Sequence, residues 1–241
     1  MTIRLETNNG VACVPTRYNS LVQAAIYSHL TPTLSKFLHE KGFMFEQRHF
    51  KLFCFSKLLG NNHVGGGLVR FVGPVYLAVS SPIKQFIKAL ASSLLKEGRL
   101  RIGDQTFKVT SIKFSDCPRI SQSIKIQTLS PITMYSTLQS RNGVKKTYYY
   151  SPFEREFAAL LEANLKKKHL LVTHRNSRSP FQIKPLRTSE IILVYKGTVI
   201  KGWGGTFVLT ASRALLKTAY ETGLGGKNSM GFGLFEVLEC L

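Results

Sequence analysis

The stretch Gly223-Leu224-Gly225-Gly226-Lys227-Asn228-Ser229-Met230-Gly231-Phe232-Gly233 decides how the rest of the chain is interpreted. Its five glycines allow the backbone to take positive φ angles and to approach a ligand closely. Exposed N–H groups in such a loop can cradle phosphate oxygens. We therefore predict that residues 223–233, called the glycine loop below, contact a ligand that carries phosphate.

The segments beside the glycine loop predict a helix before it and a strand after it. Residues 212–222 carry apolar side chains at helical spacing, and residues 232–238 are typical of a strand. A nucleotide-binding P-loop requires the reverse order, strand then loop then helix, and the Walker sequence is absent. Nucleotide hydrolysis is therefore not expected. A helix-capping role would explain Gly223 but not the other four glycines.

The strongest compositional signal is positive charge. The chain has 33 Lys and Arg against 13 Asp and Glu, a formal net charge of +20, which favours a polyanionic partner. The basic residues are spread along the chain and interleaved with aromatic residues, and they are not gathered on one amphipathic helix. Nucleic acid is therefore favoured over a membrane surface, and a merely solvated basic surface is the remaining alternative.

The composition disfavours secreted, membrane and metal-binding proteins. No apolar run approaches the roughly 20 residues that span a bilayer, and the first residues lack a secretory signal, so a cytoplasmic location is expected. The four cysteines form no Cys-x-x-Cys pair, which argues against a zinc site and a disulfide framework. No Asp-x-Asp or His-x-Glu spacing suits a divalent ion, so neither a metal nor a cofactor is expected.

The order of predicted elements repeats in the two halves of the chain. The first half gives strands at residues 2–6 and 11–14, a helix capped by Asn19 or Ser20, a short helix from Pro32, a strand at 50–55, a loop at 61–67, a strand at 75–79, a helix opened by Ser81 and Pro82, and a strand at 107–114. The second half gives a strand at residues 124–129, a helix opened by the capping box 151–154, strands at 191–200 and 204–209, and the helix and strand beside the glycine loop. The chain therefore predicts an α+β fold of two tandem ferredoxin-like βαββαβ domains, residues 1–118 and 119–241, with a hinge at 116–122.

Residues 166–185 form a basic segment that we interpret as a connection following the helix. Within it Lys168, Arg175 and Arg178 are predicted to contact phosphate. Basic residues that close a helix also interact favourably with its dipole, which is the alternative explanation. The consecutive Tyr148, Tyr149 and Tyr150 either stack on bases or pack as part of a strand, and packing is the favoured interpretation.

Two tandem ferredoxin-like units, the positive charge and the glycine loop before the last strand together resemble the CRISPR-associated RAMP superfamily. The resemblance is closest to its repeat-cleaving endoribonucleases, the sixth Cas family, and covers nearly the whole chain. It implies CRISPR repeat RNA, or pre-crRNA, as the partner, other Cas effector subunits as further partners, and a monomeric or homodimeric state. It also implies RNA contacts from the glycine loop, through Gly223, Gly225, Gly226, Lys227, Asn228, Ser229, Gly231 and Gly233.

Members of that ribonuclease family use a histidine near the first helices, often with a tyrosine on the first helix and a lysine just beyond. The segments Ala25-Ile26-Tyr27, Phe37-Leu38-His39-Glu40-Lys41-Gly42 and Lys51-Leu52-Phe53 are similar to these elements, which implies Tyr27, His39 and Lys51 as catalytic residues.

The helical spacing supports the choice among the histidines. His39 lies about 140° from Leu34 and therefore off the apolar stripe of its helix. His29 falls within the stripe of the preceding helix, so we interpret it as a packed histidine. The other histidines are alternative candidates: His49, His63, His169 and His174.

The resemblance implies cleavage by the RNA's own 2′-hydroxyl without a metal, leaving a cyclic phosphate and a 5′-hydroxyl. His39 would transfer a proton, Lys51 would stabilise the phosphorane, and Tyr27 would position the ribose or a phosphate oxygen. Lys51 has an alternative role as a phosphate anchor or solvated lysine, and Tyr27 as a half-buried aromatic. Two other functions stay open: a non-catalytic RAMP subunit that binds guide RNA, and an unrelated basic RNA-binding module.

Overall fold

The computed structural model of the protein describes residues 1–139, 143 and 145–241. The first domain contains β1 Thr2–Glu6, β2 Val11–Pro15, α1 Asn19–Ser28, α2 Pro32–Glu40, β3 Phe43–Phe45, β4 Arg48–Phe50, β5 Cys54–Phe55, β6 Leu59–Gly65, β7 Leu68–Ser80, α3 Lys84–Glu97, β8 Arg99–Ile102 and β9 Gln105–Lys113. The second contains β10 Ser123–Thr128, β11 Tyr135–Gln139, β12 Lys145–Tyr149, α4 Arg155–Thr173, β13 Gln182–Tyr195, β14 Thr198–Thr210, α5 Arg213–Thr222, a 3₁₀ helix Asn228–Met230 and β15 Phe235–Cys240.

The sheet of the first domain is built around the long strand β7. Strands β1 and β2 pair with successive parts of β7 on one side, and β5 and β6 pair with it on the other. Strand β9 pairs with the free side of β1, and all these pairings are antiparallel. Taking β1 with β2 and β5 with β6 as interrupted single strands gives the ferredoxin-like order, which confirms the predicted fold of this half.

The second domain repeats this topology with fewer interruptions. Its four-stranded antiparallel sheet has the order β13-β14-β10-β15, and the β11–β12 hairpin is inserted between β10 and α4. Each domain buries its own aromatic core, with Phe71, Phe86 and Phe107 in the first and Phe157 and Phe207 in the second. Burying each such side chain contributes roughly 1.5–3 kcal/mol, so the two domains are stabilised largely independently.

The local signals at three helix starts act as predicted. The Thr31 Oγ1 accepts a hydrogen bond from the Leu34 N–H, with Pro32 in the first turn of α2. Likewise the Ser212 Oγ accepts from the Leu215 N–H at the start of α5. At the third start, the N–H of Ser151 donates to the Glu154 carboxylate, as a capping box requires, although α4 itself begins at Arg155.

Several predicted boundaries are wrong, each for a local reason. The aromatic run 50–55 is two short strands, because Leu52 has a positive φ of 52° and turns the chain between them. Residues 61 and 62 belong to β6 and pair with β7, so the loop there is shorter than predicted. Helix α3 begins at Lys84, since the Ser81 Oγ accepts from the N–H of Ile83 in a turn before it.

The second domain needs two more boundary corrections. The basic segment 166–185 is not one connection, because α4 continues to Thr173 and β13 begins at Gln182. The last strand begins at Phe235, and residues 232–234 still belong to the turn that closes the glycine loop. Among the helices within the described ranges, none is both long and apolar enough to cross a lipid bilayer.

Candidate active site and cleft

The structure brings together the three residues that the resemblance implies as catalytic. Tyr27 lies near the end of α1, His39 near the end of α2, and Lys51 directly after β4. The rings of Tyr27 and His39 meet edge to face, with centroids 6.1 Å apart and an interplanar angle of 84°. The Lys51 Nζ donates a hydrogen bond of 3.0 Å to the backbone carbonyl of His39. Residues 24 positions apart in sequence thus form one cluster, called the catalytic cluster below.

The helical pattern explains why this cluster faces outward. Helix α1 buries Val22 and Ile26, which leaves Tyr27 half-buried at the margin of its apolar face. Helix α2 buries Leu38, so the following residue, His39, projects into solvent. Tyr27 is also held from below by Phe53, whose ring centroid lies 5.7 Å away.

The surroundings set the charge states of two members of the cluster. Burial, and to a smaller extent the nearby Tyr195, raises the pKa of Tyr27 to about 12. Tyr27 is therefore a neutral hydroxyl near pH 7 that can donate a hydrogen bond. Burial also lowers the pKa of Lys51 below its ordinary value, whereas its hydrogen bond to the His39 carbonyl favours the charged ammonium.

The other histidines differ from His39 in exposure or position. As predicted, His29 is buried, and its Nδ1 lies 2.9 Å from the Ser93 Oγ. His169 is buried as well, with its Nδ1 2.8 Å from the Thr218 Oγ1. His49 is exposed, and its Nδ1 lies 2.6 Å from the Lys41 carbonyl oxygen.

A cleft of about 800 Å³ opens between the two domains beside the catalytic cluster. Residues 48–53, 134–137, 225–230 and the Leu160–Lys168 side of α4 form its walls. Four basic side chains line it: Arg48, Lys51, Lys167 and Lys227. Lys51 therefore belongs both to the cleft and to the catalytic cluster. A polyanion in the cleft would pass close to His39.

Most glycines of the glycine loop are required by packing. Gly223, Gly225, Gly231 and Gly233 are buried and have positive φ angles between 72° and 85°. A Cβ at Gly231 would lie 2.6 Å from both Asn19 Nδ2 and Phe55 Cε2. A Cβ at Gly225 would lie 2.5 Å from the Thr133 carbonyl oxygen. Close approach is thus needed, but it is an approach of protein to protein.

Lys168 does not lie on the basic surface where the sequence analysis places it. It is 2% exposed, and its Nζ donates to the carbonyls of Gly223 at 2.8 Å and Gly225 at 2.9 Å and to Asn228 Oδ1 at 2.7 Å. Burial lowers its pKa to about 7, and nearby Cys54 opposes that shift. Three acceptors for three ammonium protons also favour the charged form.

Asn228 is likewise an internal residue of the glycine loop. Its Nδ2 donates to the carbonyls of Leu224 at 2.9 Å and Phe232 at 3.0 Å, which closes the loop on itself. The half-buried part that faces the cleft includes Gly226, Lys227 and Ser229. The Lys227 Nζ lies 4.5 Å from the centre of the Tyr135 ring, a cation–π contact on the cleft wall.

The remaining predicted RNA contacts are exposed but lie elsewhere. Arg175 and Arg178 are exposed in the connection after α4 and do not line the cleft. Tyr149 and Tyr150 pack against the core of the second domain, as favoured in the sequence analysis. Tyr148 is 44% exposed, and its hydroxyl donates to Glu154 at 2.8 Å.

The sequence analysis missed a polar interface between the domains. On α1, Asn19 does not cap the helix; its Nδ2 donates to the Met230 carbonyl at 3.0 Å. One turn later, the Gln23 Nε2 donates to the Ser229 carbonyl at 2.6 Å. The Tyr195 hydroxyl, at the end of β13, contacts the Gln23 Oε1. The spacing of Asn19, Gln23 and Tyr27, one helical turn apart, is the signal that could have revealed this face.

No group of three or more His, Cys, Asp and Glu side chains suited to a metal ion occurs in residues 1–139, 143 and 145–241. The conserved chemistry of the site therefore has to be sought in the catalytic cluster and the cleft.

Two ferredoxin-like domains joined through a glycine loop, with a basic cleft between them, define a protein of the RAMP class. Residues 85–237 match the family model "CRISPR associated protein Cas6, C-terminal", and residues 13–113 match "CRISPR-associated protein Cas6, N-terminal". The chain belongs to the Cas6 family.

Individual relatives agree with this membership. The CRISPR-associated endoribonuclease Cas6 1 of Methanocaldococcus jannaschii is 30% identical, over 96% of this chain and 90% of its own length. The CRISPR-associated endoribonuclease Cas6 of Pyrococcus furiosus is 28% identical, over 93% of this chain and 83% of its own. A solved structure of a CRISPR associated protein Cas6 superposes with a TM-score of 0.81 and 27% identity, covering 99% of this chain and 98% of its own.

Proposed function

We propose that this protein is a metal-independent endoribonuclease that cleaves CRISPR repeat RNA (pre-crRNA) to produce mature guide RNA. The observation that carries the proposal is the convergence of Tyr27, His39 and Lys51 beside a basic cleft. The relatives in M. jannaschii and P. furiosus are named endoribonucleases, which supports the same activity. A protein that only binds RNA has no chemical need for an exposed histidine with a tyrosine and a lysine beside it.

The reaction is an internal transesterification. The 2′-oxygen of the nucleotide before the cut attacks the adjacent phosphorus, and the bond from phosphorus to the 5′-oxygen breaks. The products are a 2′,3′-cyclic phosphate and a 5′-hydroxyl. One proton leaves the 2′-hydroxyl and one reaches the departing 5′-oxygen, so no external reactant is consumed. An imidazole suits either transfer because its ordinary pKa is about 6.5.

The three residues divide this work according to their surroundings. His39 is exposed, so its ring can meet a bound RNA and transfer a proton. Lys51 is half-buried between the cleft and His39, where its ammonium would stabilise the charge that develops on the phosphorane. Tyr27 stays neutral and would donate a hydrogen bond to the ribose or to a phosphate oxygen.

The cleft supplies the route for the RNA toward His39. Arg48, Lys167 and Lys227 would contact phosphates, and Tyr135 offers a ring on which a base can stack. We further propose that the protein acts in the cytoplasm, as a monomer or homodimer, with other Cas subunits as additional partners. Arg175 and Arg178 would extend the basic surface beyond the cleft.

The decisive experiment incubates the purified protein with repeat RNA in excess EDTA, using matched substrates with and without a 2′-deoxy substitution before the cut. We expect cleavage of the ribose substrate only. Cleavage that stops in EDTA would contradict metal independence, and cleavage of the deoxy substrate would contradict the 2′-hydroxyl mechanism. Tight binding of both RNAs with no cleavage would instead support the alternative, a RAMP subunit that only holds guide RNA.

A further inference from the structure

The buried ammonium of Lys168 lies at the centre of the contacts that shape the glycine loop. Its three hydrogen bonds reach acceptors at residues 223, 225 and 228, which lie 55 to 60 positions later in the chain. All three acceptors are neutral, and an isolated buried charge is costly. A lysine retained here without a carboxylate partner among its hydrogen bonds therefore indicates a specific role for its three donors.

The other side of the same loop is held by the first domain. Helix α1 contacts the carbonyls of Ser229 and Met230 through Gln23 and Asn19. The segment 223–230 is thus fixed by α4 from one side and by α1 from the other. Lys227 projects from the middle of this segment into the cleft, and Tyr27 lies one turn beyond Gln23 on α1.

We propose that Lys168 is a positioning residue for RNA binding and cleavage, which acts by fixing the glycine loop between α4 and α1 and makes no RNA contact itself. This inference rests on the proposed function, since it assigns an indirect role at the same site. It differs from the expectation drawn from the basic sequence 166–169, in which Lys168 would contact a phosphate directly.

The chemistry of the side chain explains why lysine is suited to this position. An ammonium presents three donors that point in different directions from one small atom, which matches two carbonyls and one amide oxygen. The planar guanidinium of arginine cannot surround one point in this way, although it keeps the charge. Methionine has a similar length and no donor, so it would leave all three acceptors buried and unpaired.

The test is a double-mutant cycle with K168M and K227M, read out by affinity for uncleavable 2′-deoxy repeat RNA across a range of salt concentrations. Loss of one phosphate contact to single-stranded RNA lowers the slope of log affinity against log salt by about 0.7. We expect each single variant to lower the slope by that amount and the double variant to lower it no further. The effects of the two substitutions on affinity would then be strongly non-additive.

A direct phosphate contact from Lys168 gives a different result. The double variant would then lose about twice as much slope, roughly 1.4, and the affinity losses would multiply. That outcome would overturn the inference, as would an unchanged affinity in K168M. The control is K217M, which removes one exposed charge from α5 and should leave both affinity and slope as in the wild type.

Two further measurements keep the test decisive. If K168M does not fold, K168R takes its place in the cycle; it should fold and show the same non-additivity with K227M, and additive losses would overturn the inference. At saturating ribose RNA we expect K168M to slow single-turnover cleavage, with partial rescue by K168R. If the wild type binds repeat RNA without cleaving it, the proposed function fails, whereas the binding cycle still tests the role of Lys168.

Discussion

The catalytic cluster and the glycine loop are both marked by the sequence as functional, but the structure builds them in opposite ways. Tyr27, His39 and Lys51 are exposed or half-buried, and few contacts hold them. The glycine loop is largely buried and is hydrogen-bonded to both domains. A motif that resembles a phosphate cradle is here first a joint between domains, and the groups open to a substrate lie mostly outside it.

Replacing the exposed histidine should break the catalytic side of this comparison most severely. We expect H39A to slow cleavage by about 10²–10⁴-fold, because it removes the proton-transferring group, while affinity for RNA is retained. Single-turnover cleavage and filter binding on the same repeat RNA measure the two effects. The matched control is H63A, an exposed histidine on β6 outside the cleft, which should cleave normally. Full activity in H39A would remove His39 from its proposed role.

Substitution of a packed glycine should test the architectural side. In G231A the new Cβ would meet Asn19 and Phe55, and alanine is strained at a φ of +85°. We expect the free energy of unfolding to fall by about 2–3 kcal/mol or more. In G226A, where φ is not positive and the nearest contact is the Tyr135 ring at 3.2 Å, the loss should stay below about 1 kcal/mol.

Denaturant unfolding followed by circular dichroism would measure this difference between the two glycines. Equal stability of G231A and the wild type would mean that packing does not require the glycine. The loop would then have to be explained by close approach to RNA, as the sequence analysis expects.

Reversing the charge at the tip of the loop should have a smaller effect, confined to binding. Lys227 faces the cleft and is held only by the Tyr135 ring. We expect K227E to weaken RNA binding about tenfold, or about 1.4 kcal/mol, across different RNA sequences. The salt slope should fall by at least about 0.7. K217E is the control; an unchanged affinity in K227E would show that the loop offers no surface to RNA.

Much of the fold follows from the sequence, because the tandem pattern of strands and helices is periodic and capped at its helix starts. The position of His39 off its apolar stripe and of His29 within one was also predictable, since both depend only on helical geometry. Lys168 was misplaced because a run of basic residues suggests a surface. Yet it continues the buried stripe of Phe157, Leu161 and Leu165 on α4, and that spacing predicts burial.

Contacts made across the domain interface could not be predicted in the same way. Asn19 is a good capping residue by type, but its amide is used by a loop more than two hundred residues later. The run 50–55 has strand composition, but its middle turns so that Phe53 enters the core and Lys51 faces the cleft. Both outcomes depend on the neighbouring domain, which local patterns do not describe.

The buried histidines sharpen the comparison further, because they should govern stability while His39 governs activity. Burial lowers the pKa of His29, against a smaller opposing effect of Glu97, and burial also lowers the pKa of His169. As the pH falls below about 6.5, the unfolded chain therefore binds protons before the folded protein does. The stability that these neutral imidazoles contribute is complete above that pH and is lost as the pH falls toward their folded pKa values.

We therefore expect the melting temperature to decline modestly between pH 7 and pH 5, the smallest of the four effects. In H29Q and H169Q the decline should be shallower, because glutamine keeps a hydrogen-bonding group at each site but does not titrate. H63Q on the exposed face of β6 is the matched substitution. If H29Q and H169Q together kept the full acid dependence of the wild type, the buried imidazoles would have no part in it. The loss would then have to arise from carboxylates such as Glu154, which accepts the capping hydrogen bond at the start of α4.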